Sequence, residues 1–462
     1  MRKLIVLVTV AAGIGIGPMV NSRPAMAQVK EPQLLSLQQA VDYALKNNLA
    51  LKNNQLDVQS AQKKVNEILA SGLPQVNATG SFMNNVQIPT QVLPNFLKPT
   101  LVAANPGSAS AIPDIIEAQF GQKFSTTGSI TASQLIFDGG FLMGVKASRE
   151  FVNLSRINIH RNEIETKVTV SKAYYQALLL QTNLNMIDTN LKTVSKAKND
   201  LEKLYQHGLV ESTDYDRMRL QYSQLSLQRD KISDFQAVAL MVLKMQMGMD
   251  VNDSIMLTDN LDALYKKSQV SATEAQVEYS NRTEYKLLKQ QMLLNTYNKK
   301  RYQYGYAPTV SAFLTHQQNS FGADFGTLGS TWYPGTYWGL NVSIPVFDGF
   351  RKSAQIQQVN IDIRKNENDL KNLERYIDQQ VYQSKMAYKR ASEQLLIQEQ
   401  NMKLAQDIAN RVTLKYNNGL GSSLEYTSAQ NELENARNSY LTTVYEYFIA
   451  QIELRKALGE IK

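Results

Sequence analysis

The residue types that commonly carry out chemistry are few in this chain of 462 residues, and they do not group together. There is no cysteine, which excludes disulfides, thiolate metal sites and cysteine nucleophiles. The three histidines, His160, His207 and His316, have no metal-ligand spacing. The sequence also has no nucleophile–base pair and no phosphate-binding loop. We therefore predict no catalytic, cofactor or metal site and no enzymatic activity.

One motif that could be mistaken for an active-site signature occurs twice, 210 residues apart. The two copies are Phe137-Asp138-Gly139 and Phe347-Asp348-Gly349. A predicted strand precedes each copy and a long predicted helix follows it. Asp can cap a helix N-terminus and Gly permits a bend, so we interpret both copies as strand-to-helix corners. The two Phe residues would then lie at the rim of a sheet.

The N-terminus has the features of an export signal. Arg2 and Lys3 precede an apolar stretch from Leu4 to about Ile16, and Ala25-Met26-Ala27 is typical of a cleavage site. The apolar stretch is shorter than the ~18 residues that cross a bilayer. We therefore predict a signal peptide over residues 1–27. The chain without it carries 46 basic and 41 acidic residues, and this dispersed excess of +5 gives no indication of a nucleic-acid partner.

Helical periodicity extends over most of the chain. Two runs, 140–206 and 349–416, contain no proline, and apolar residues repeat in them at heptad spacing. Each run corresponds to a helix of about 100 Å at ~1.5 Å per residue. Four shorter helices are predicted over 36–71, 212–247, 273–305 and 422–458.

Strand patterns lie between these helices. Alternation with period two from Tyr337 to Val346 leaves one face apolar and the other small and polar. Weaker alternation occurs over 76–82, 126–136 and 309–320, which predicts two hairpins, 75–137 and 309–347. The four aromatic residues near the last strand, predicted to form a membrane-interface girdle, are Trp332, Tyr333, Tyr337 and Trp338.

The two halves of the chain repeat each other. The segment from Leu204 to Tyr215 corresponds to that from Lys415 to Tyr426, and Pro74 corresponds to Pro308. We predict a duplicated unit. The first repeat covers 28–250 and the second covers 273–462, and an equatorial connector, 251–272, joins them.

Strands that are apolar on one face fit either a half-buried sheet on a soluble domain or the wall of a membrane barrel. Four strands cannot close a barrel, and an open edge is not tolerated in lipid. Three copies would supply twelve strands, an even number within the known range. The predicted fold class is therefore mainly α with a membrane β-barrel portion, shared by a homotrimer and continued by an α-helical periplasmic tunnel.

With its two-fold repeat, paired corners, Gly-Leu turns and closing Glu453–Ile461 segment, the sequence resembles the TolC family of outer-membrane efflux proteins. The resemblance implies a channel in the outer membrane of a Gram-negative bacterium, extending into the periplasm. Its implied partners are outer-membrane lipid, a periplasmic adaptor (membrane fusion protein) and an inner-membrane pump or ABC exporter.

The resemblance also implies roles for residues at the helix turns. The adaptor-docking tip matches Gly208, Leu209, Gly419 and Leu420. The periplasmic gate matches Asp214 and Tyr416, with hydrogen bonds between helices, and Glu425 in an acidic constriction ring. Two positions depart from the family, because Gly421 stands where an Arg can occur and Ser428 where a second acid can occur. The alternative function is a periplasmic coiled-coil scaffold or adaptor without a pore.

Overall fold

Long α-helices dominate the fold, and a four-stranded antiparallel sheet lies at one end of them. The computed structural model describes residues 32–108, 110–268 and 277–461, so the predicted signal peptide lies outside the described residues. The helices are α1 (Leu37–Asn47), α2 (Leu49–Ala70), α3 (Lys98–Ala104), α4 (Gly139–Gln206), α5 (Ser212–Met247), α6 (Leu261–Ser268), α7 (Thr283–Tyr304), α8 (Arg351–Asn417) and α9 (Ser423–Leu458). The strands are β1 (Gln33–Leu35), β2 (Gln75–Asn84), β3 (Thr90–Pro94), β4 (Ile115–Gln119), β5 (Phe124–Phe137), β6 (Ile255–Leu257), β7 (Thr309–Gly322) and β8 (Tyr333–Ser343).

The two long helices, α4 and α8, have 68 and 67 residues, which corresponds to about 100 Å each. Each forms a coiled-coil hairpin with the helix that follows it, α5 or α9. Along α4, Ile187, Val194 and Leu201 recur at seven-residue spacing and are buried in the seam with α5.

The predicted helix over 36–71 is broken at Asn48, which separates α1 from α2. Its side-chain oxygen accepts hydrogen bonds from the backbone N–H of Ala50 (2.9 Å) and Leu51 (3.2 Å). Its side-chain amide donates to the carbonyl of Gln246 near the end of α5 (2.7 Å). Asn therefore stabilises a new helix start instead of continuing the helix, which periodicity alone does not reveal.

The second repeat has a corresponding break at Arg282. The helix predicted from residue 273 begins only at Thr283, after a 3₁₀ turn over Tyr279–Asn281, and residues 273–276 lie outside the described residues. The buried Arg282 guanidinium donates to the carbonyl of Ala457 near the end of α9 (2.7 Å). Ala457 follows Gln246 by 211 residues. In each repeat, therefore, one side chain at a helix break, Asn48 or Arg282, donates to a carbonyl near the end of that repeat's last helix.

The region that the sequence left as a connector contains a strand, β6, that pairs in parallel with β1. Asp259 just after β6 accepts hydrogen bonds from the backbone N–H of Leu37 (2.7 Å) and the hydroxyl of Tyr174 (2.7 Å). Burial and the charge of Asp259 together raise the pKa of Tyr174. The largest buried apolar cluster of the described residues lies here, where Tyr174, Leu243 and Phe448 contribute fully buried side chains.

The sheet has the strand order β2-β5-β7-β8, so the two predicted hairpins lie side by side. Its polar face carries hydrogen bonds between side chains on neighbouring strands, including Thr79–Ser129 (2.7 Å) and Thr131–Thr315 (2.9 Å). The opposite face is apolar in its helix-proximal half, where one row across the four strands consists of Val76, Ala132, Leu314 and Trp338. Within the described residues, β2 and β8 pair on one side only.

The four aromatic residues predicted to share a strand end do not lie together. Strand β8 begins at Tyr333 and includes Pro334 as its second residue, so Tyr337 and Trp338 lie in its middle. Tyr333 and Tyr337 lie on the polar face, whereas Trp338 lies on the apolar face and Trp332 precedes the strand. Tyr337 and Trp338 therefore do not share a strand end with Trp332 and Tyr333, and a role for these four residues at a membrane interface stays a prediction.

Phenylalanines occupy the two ends of the sheet instead. Phe82, Phe124 and Phe325 cluster at the loop end, with ring centroids 6.1–6.2 Å apart. At the helix end, the rings of Phe347 and Phe350 contact edge to face at 5.5 Å, and both are largely exposed. On β5, Phe124 at the loop end and Phe137 at the helix end are 13 residues apart, which is roughly 33 Å for a strand tilted by about 40°.

The two corner motifs differ in detail. Asp138 caps α4 as predicted, since its carboxylate accepts from the N–H of Phe141 (3.1 Å). Gly139 is already helical, and a Cβ there would lie 3.0 Å from Tyr304, so this glycine permits close packing, not a bend. In the second copy, Gly349 and Phe350 both have left-handed φ, 65° and 63°, and α8 begins two residues later than predicted.

Candidate functional site at the helix turns

The two helical hairpins turn at the ends farthest from the sheet, and both turns have the same geometry. Gly208 and Gly419 have φ of 70° and 71°. The N–H of Leu209 donates to Leu204 and that of Leu420 to Lys415, each at 2.9 Å. This is the Schellman ending of a helix, which requires a residue with positive φ.

The leucine that follows each glycine projects into solvent in the single chain. Leu209 is 69% exposed and Leu420 is 81% exposed. A helix ending needs the glycine but does not need an exposed leucine beside it. The two turns therefore present a pair of apolar side chains that are available to a partner.

The returning helices start differently in the two repeats. Ser422 caps α9, because its hydroxyl accepts from the N–H of Glu425 (3.2 Å). In contrast, Ser212 is the first residue of α5, and Glu211 precedes it without a side-chain cap. Each first turn carries one acid, Asp214 or Glu425, which is favourable near the positive end of a helix dipole.

The two hairpins contact each other through Asp214. Its carboxylate accepts a hydrogen bond from the hydroxyl of Ser423, which is buried at the start of α9. The family resemblance pairs Asp214 with Tyr416, and in the structure this tyrosine lies close enough to Asp214 to feel its charge. Burial raises the pKa of Tyr416 most, and the negative charge of Asp214 raises it further. The hydrogen-bond partner of Asp214 is nevertheless Ser423, a residue that the sequence did not single out for this role.

Each turn also contains a stacked pair of tyrosines. Tyr205 stacks on Tyr215 with ring centroids 5.7 Å apart, and Tyr416 stacks on Tyr426 at 4.9 Å. The second pair follows the first by 211 residues, so the repeated tyrosines of the two turn sequences were the signal for this contact. The ring of Tyr416 therefore braces the start of α9 against the end of α8.

The two departures from the family pattern have different structural settings. A Cβ on Gly421 would lie 3.2 Å from the backbone nitrogen of Tyr416, so a longer side chain there requires the turn to shift. Ser428 is exposed on α9. Glu425, Asn431 and Asn435 are exposed with it, at spacings that place them on one polar stripe of the helix.

Farther from the turns, a polar network connects three helices. The buried Asn190 of α4 donates to Glu434 of α9 (2.7 Å), and Arg437 donates to the same carboxylate (3.2 Å). Arg437 also donates to Gln406 of α8 (2.6 Å). Burial raises the pKa of Glu434 more strongly than Arg437 and Asn190 lower it.

Chemistry-bearing clusters are not found in the described part of the chain. No group of His, Asp and Glu residues there could hold a metal ion. His160 lies 3.3 Å from Glu163, and His316 lies 2.8 Å from Thr336 on the exposed sheet. Among the described residues, no helix is both long enough and apolar enough to cross a membrane.

Comparisons with known proteins agree with this architecture. The profile of the family described as Outer membrane efflux protein matches residues 40–237 and 303–460, which is most of the chain. No protein with a curated description matches it significantly by sequence.

Solved structures of outer-membrane channels share the fold. CusC is 18% identical at a TM-score of 0.68, with 92% of each chain covered. The Campylobacter jejuni CmeC outer membrane channel is 17% identical at a TM-score of 0.65, covering 92% of this chain and 85% of that one. The Neisseria gonorrhoeae MtrE outer membrane channel, solved in an open state, is 15% identical at a TM-score of 0.67, covering 92% and 88%.

Proposed function

Because the chain belongs to the outer membrane efflux protein family, we propose that it is the channel subunit of a tripartite efflux or type I secretion system. Three copies form a passive duct from the periplasm through the outer membrane. An inner-membrane pump or ABC exporter supplies the energy, and a periplasmic adaptor connects the pump to the channel.

The observation that carries this proposal is the sheet with two different faces, whose two edges have no partner strand among the described residues. Its apolar face is exposed in the single chain: Trp338 is 77% exposed and Leu340 is 64% exposed. The opposite face is lined by hydroxyl and amide groups. Such a sheet is stable in a membrane only when lipid covers the apolar face and other strands pair with its edges.

Pairing β2 of one copy with β8 of the next gives the backbone N–H and C=O groups of both edge strands hydrogen-bond partners. The strand order makes this pairing antiparallel, like every other pairing in the sheet. Three copies close a barrel of twelve strands with the polar face inside. The two ~100 Å helices of each copy then continue the wall of the duct into the periplasm.

The helix turns form the periplasmic end of this duct. An adaptor seats on the exposed pair Leu209 and Leu420 with the apolar edge of a helical hairpin. Asp214 holds the two hairpins together through Ser423 and keeps the entrance narrow. Glu425, exposed in the first turn of α9, contributes one carboxylate per copy to a ring that favours cations.

A coiled-coil scaffold or adaptor without a pore is the alternative. It accounts for the helical hairpins but does not account for a sheet with one exposed apolar face. It also does not need the corner motif twice. The sheet therefore favours the channel.

Because the chain has no cysteine, paired substitutions can test the shared barrel directly. Thr79→Cys on β2 is combined in turn with Gly335→Cys, Gly339→Cys or Asn341→Cys on β8, all on the polar face. We expect one register to give a disulfide-linked trimer after extraction from outer membranes. The purified trimer should conduct ions in a planar bilayer.

The matched control places the second cysteine on the opposite face of the same strand, as in Thr79→Cys with Trp338→Cys. This control should give no cross-linked trimer, because adjacent residues of a strand point to opposite faces. A protein that fractionates as a soluble monomer, or a membrane trimer that conducts no ions, would overturn the channel assignment.

A further inference from the structure

The long loop between β2 and β5 spans residues 86–122, which we call the loop unit, and its described residues, 86–108 and 110–122, form a small unit of their own. Its neck is closed by Asn85, whose backbone N–H donates to the carbonyl of Lys123 (2.7 Å) and whose side chain donates to that of Gln122 (2.9 Å). Above the neck, β3 and β4 pair antiparallel, and α3 lies between them in the chain.

The surface of the loop unit is unusually apolar for a loop that leaves the membrane. The exposed apolar residues are Val86, Val92, Phe96, Leu97, Leu101, Ile115 and Phe120. Its charged residues are only Lys98, Asp114 and Glu117, and the first two form an ion pair at 2.6 Å. Val92 and Ile115 lie on one face of the β3–β4 pair, and exposed apolar side chains on a folded unit indicate an interaction surface.

The position of the loop unit limits what can cover this surface. It stands at the end of the sheet opposite the helices, on the outer side of the membrane. It also rises from β2, an edge strand, so it stands at the boundary between neighbouring copies. A layer of anionic headgroups is a poor partner, because attraction to it requires free basic residues and the only lysine is paired with Asp114.

We propose that the three loop units of a trimer pack against one another through these apolar residues and cap the outer mouth of the duct. This inference rests on the trimeric channel proposed above and adds an outer closure to it. Residues Phe96, Leu97 and Leu101, on and just before α3, contact the neighbouring copies.

Single-cysteine variants test the contact between copies. Leu101→Cys places one thiol on the exposed apolar side of α3, whereas Ala103→Cys lies about 200° around the same helix. Mild oxidation of the purified trimer should link two of three Leu101→Cys chains and leave Ala103→Cys chains unlinked. If Leu101→Cys gives no covalent dimer in intact trimers, the loop units do not meet and the inference is wrong.

A loop replacement tests the closure. Residues 86–122 are replaced by Asn-Gly, which forms a tight hairpin turn between Asn85 and Lys123. Both this variant and the complete chain carry Ser423→Ala and Asp214→Ala, so that the periplasmic end does not limit the current. Single-channel conductance should rise at least about twofold when the cap is removed, because an apolar constriction excludes water and ions.

Unchanged conductance would overturn the cap even if Leu101→Cys cross-links, since the units would then touch around an open mouth. If the replacement prevents trimer formation, Phe96→Ser with Leu101→Ser provides the same measurement with the backbone kept. Loss of trimers or of all conductance from the otherwise unaltered chain would instead contradict the proposed channel. The two failures are therefore distinguishable.

Discussion

Ser423 at the start of α9 donates its hydroxyl hydrogen bond to the carboxylate of Asp214 at the start of α5. The bond joins the two helical hairpins of one chain, each of which packs much more extensively within itself than against the other. It lies at the level of the exposed turn leucines. A single polar contact at the tips can therefore control whether the hairpins separate.

Loss of this bond should open the periplasmic entrance. Ser423→Ala removes a hydrogen bond to a charged group, which contributes about 1.5–3 kcal/mol, so the open population should rise about tenfold or more. Tyr416→Phe should have a much smaller effect, because the ring that stacks on Tyr426 is retained. Basal conductance in a planar bilayer measures both.

The control for this comparison is Ser428→Ala, which removes an exposed hydroxyl about one and a half turns into α9. It should conduct like the parent. If Tyr416→Phe raises conductance as strongly as Ser423→Ala does, the tyrosine hydroxyl is part of the latch and the assignment to Ser423 is incomplete.

The exposed leucines at the turns should be required for export and not for assembly. Leu209→Asp with Leu420→Asp replaces the apolar contact by two charges that an adaptor hairpin would have to desolvate. We expect export to be lost while SDS-resistant trimers remain in the outer membrane. The conservative pair Leu209→Met and Leu420→Met should export normally, and undiminished export from the Asp pair would contradict the docking role.

The breaks between stacked helices should be important for stability. Asn48→Ala removes a cap for two N–H groups and a bond to Gln246, and should lower stability by about 1–2 kcal/mol. Asn53→Ala, on the exposed side of α2, should be neutral or slightly stabilising. The temperature at which SDS-resistant trimers dissociate measures both, and equal values for the two variants would show that the break at Asn48 is unimportant.

Periodicity, the repeat and the strand alternation were enough to predict the helical hairpins, the four-stranded sheet and the positions of the turns. The sequence did not reveal the break at Asn48 or the late start of α7, because heptad spacing continues across both. It also placed Tyr337 and Trp338 at a strand end, whereas β8 includes Pro334 and these two residues lie in its middle on opposite faces. The contact between Ser423 and Asp214 joins two helices that are far apart in the sequence, so it could be found only from the fold.

The first corner should depend on glycine for packing. A Cβ at Gly139 would meet the Cβ of Tyr304 at 3.0 Å and its carbonyl oxygen at 3.1 Å, so Gly139→Ala should push α7 away from α4 and destabilise by about 1–3 kcal/mol. Gly144→Ala, five residues along the same helix, meets no atom within 4 Å and should stabilise by about 0.5–1 kcal/mol. Trimer dissociation temperatures that shift in the same direction for both variants would contradict this account.

The buried carboxylate of Glu434 should make stability depend on pH in a defined direction. Burial raises the pKa of Glu434, although Arg437 and Asn190 lower it. Above this raised pKa the carboxylate is charged in the folded protein, and burial of that charge lowers the free energy of unfolding. As the pH falls through the raised pKa, the folded state takes up a proton and the penalty disappears. Glu434→Gln should therefore raise the trimer dissociation temperature at pH 8, and the difference from the parent should shrink toward pH 5.

Glu434→Ala is the contrasting variant, because it removes the acceptor of Asn190 as well as the charge. Asn190 is buried, and an unpartnered amide there should lower stability by about 1–3 kcal/mol. This loss should persist at low pH, where protonated Glu434 in the parent can still accept from Asn190. If Glu434→Gln instead destabilises the trimer at pH 8, the ion pair with Arg437 outweighs the burial of the charge, and the network stabilises the junction of α4 with α9 as a charged unit.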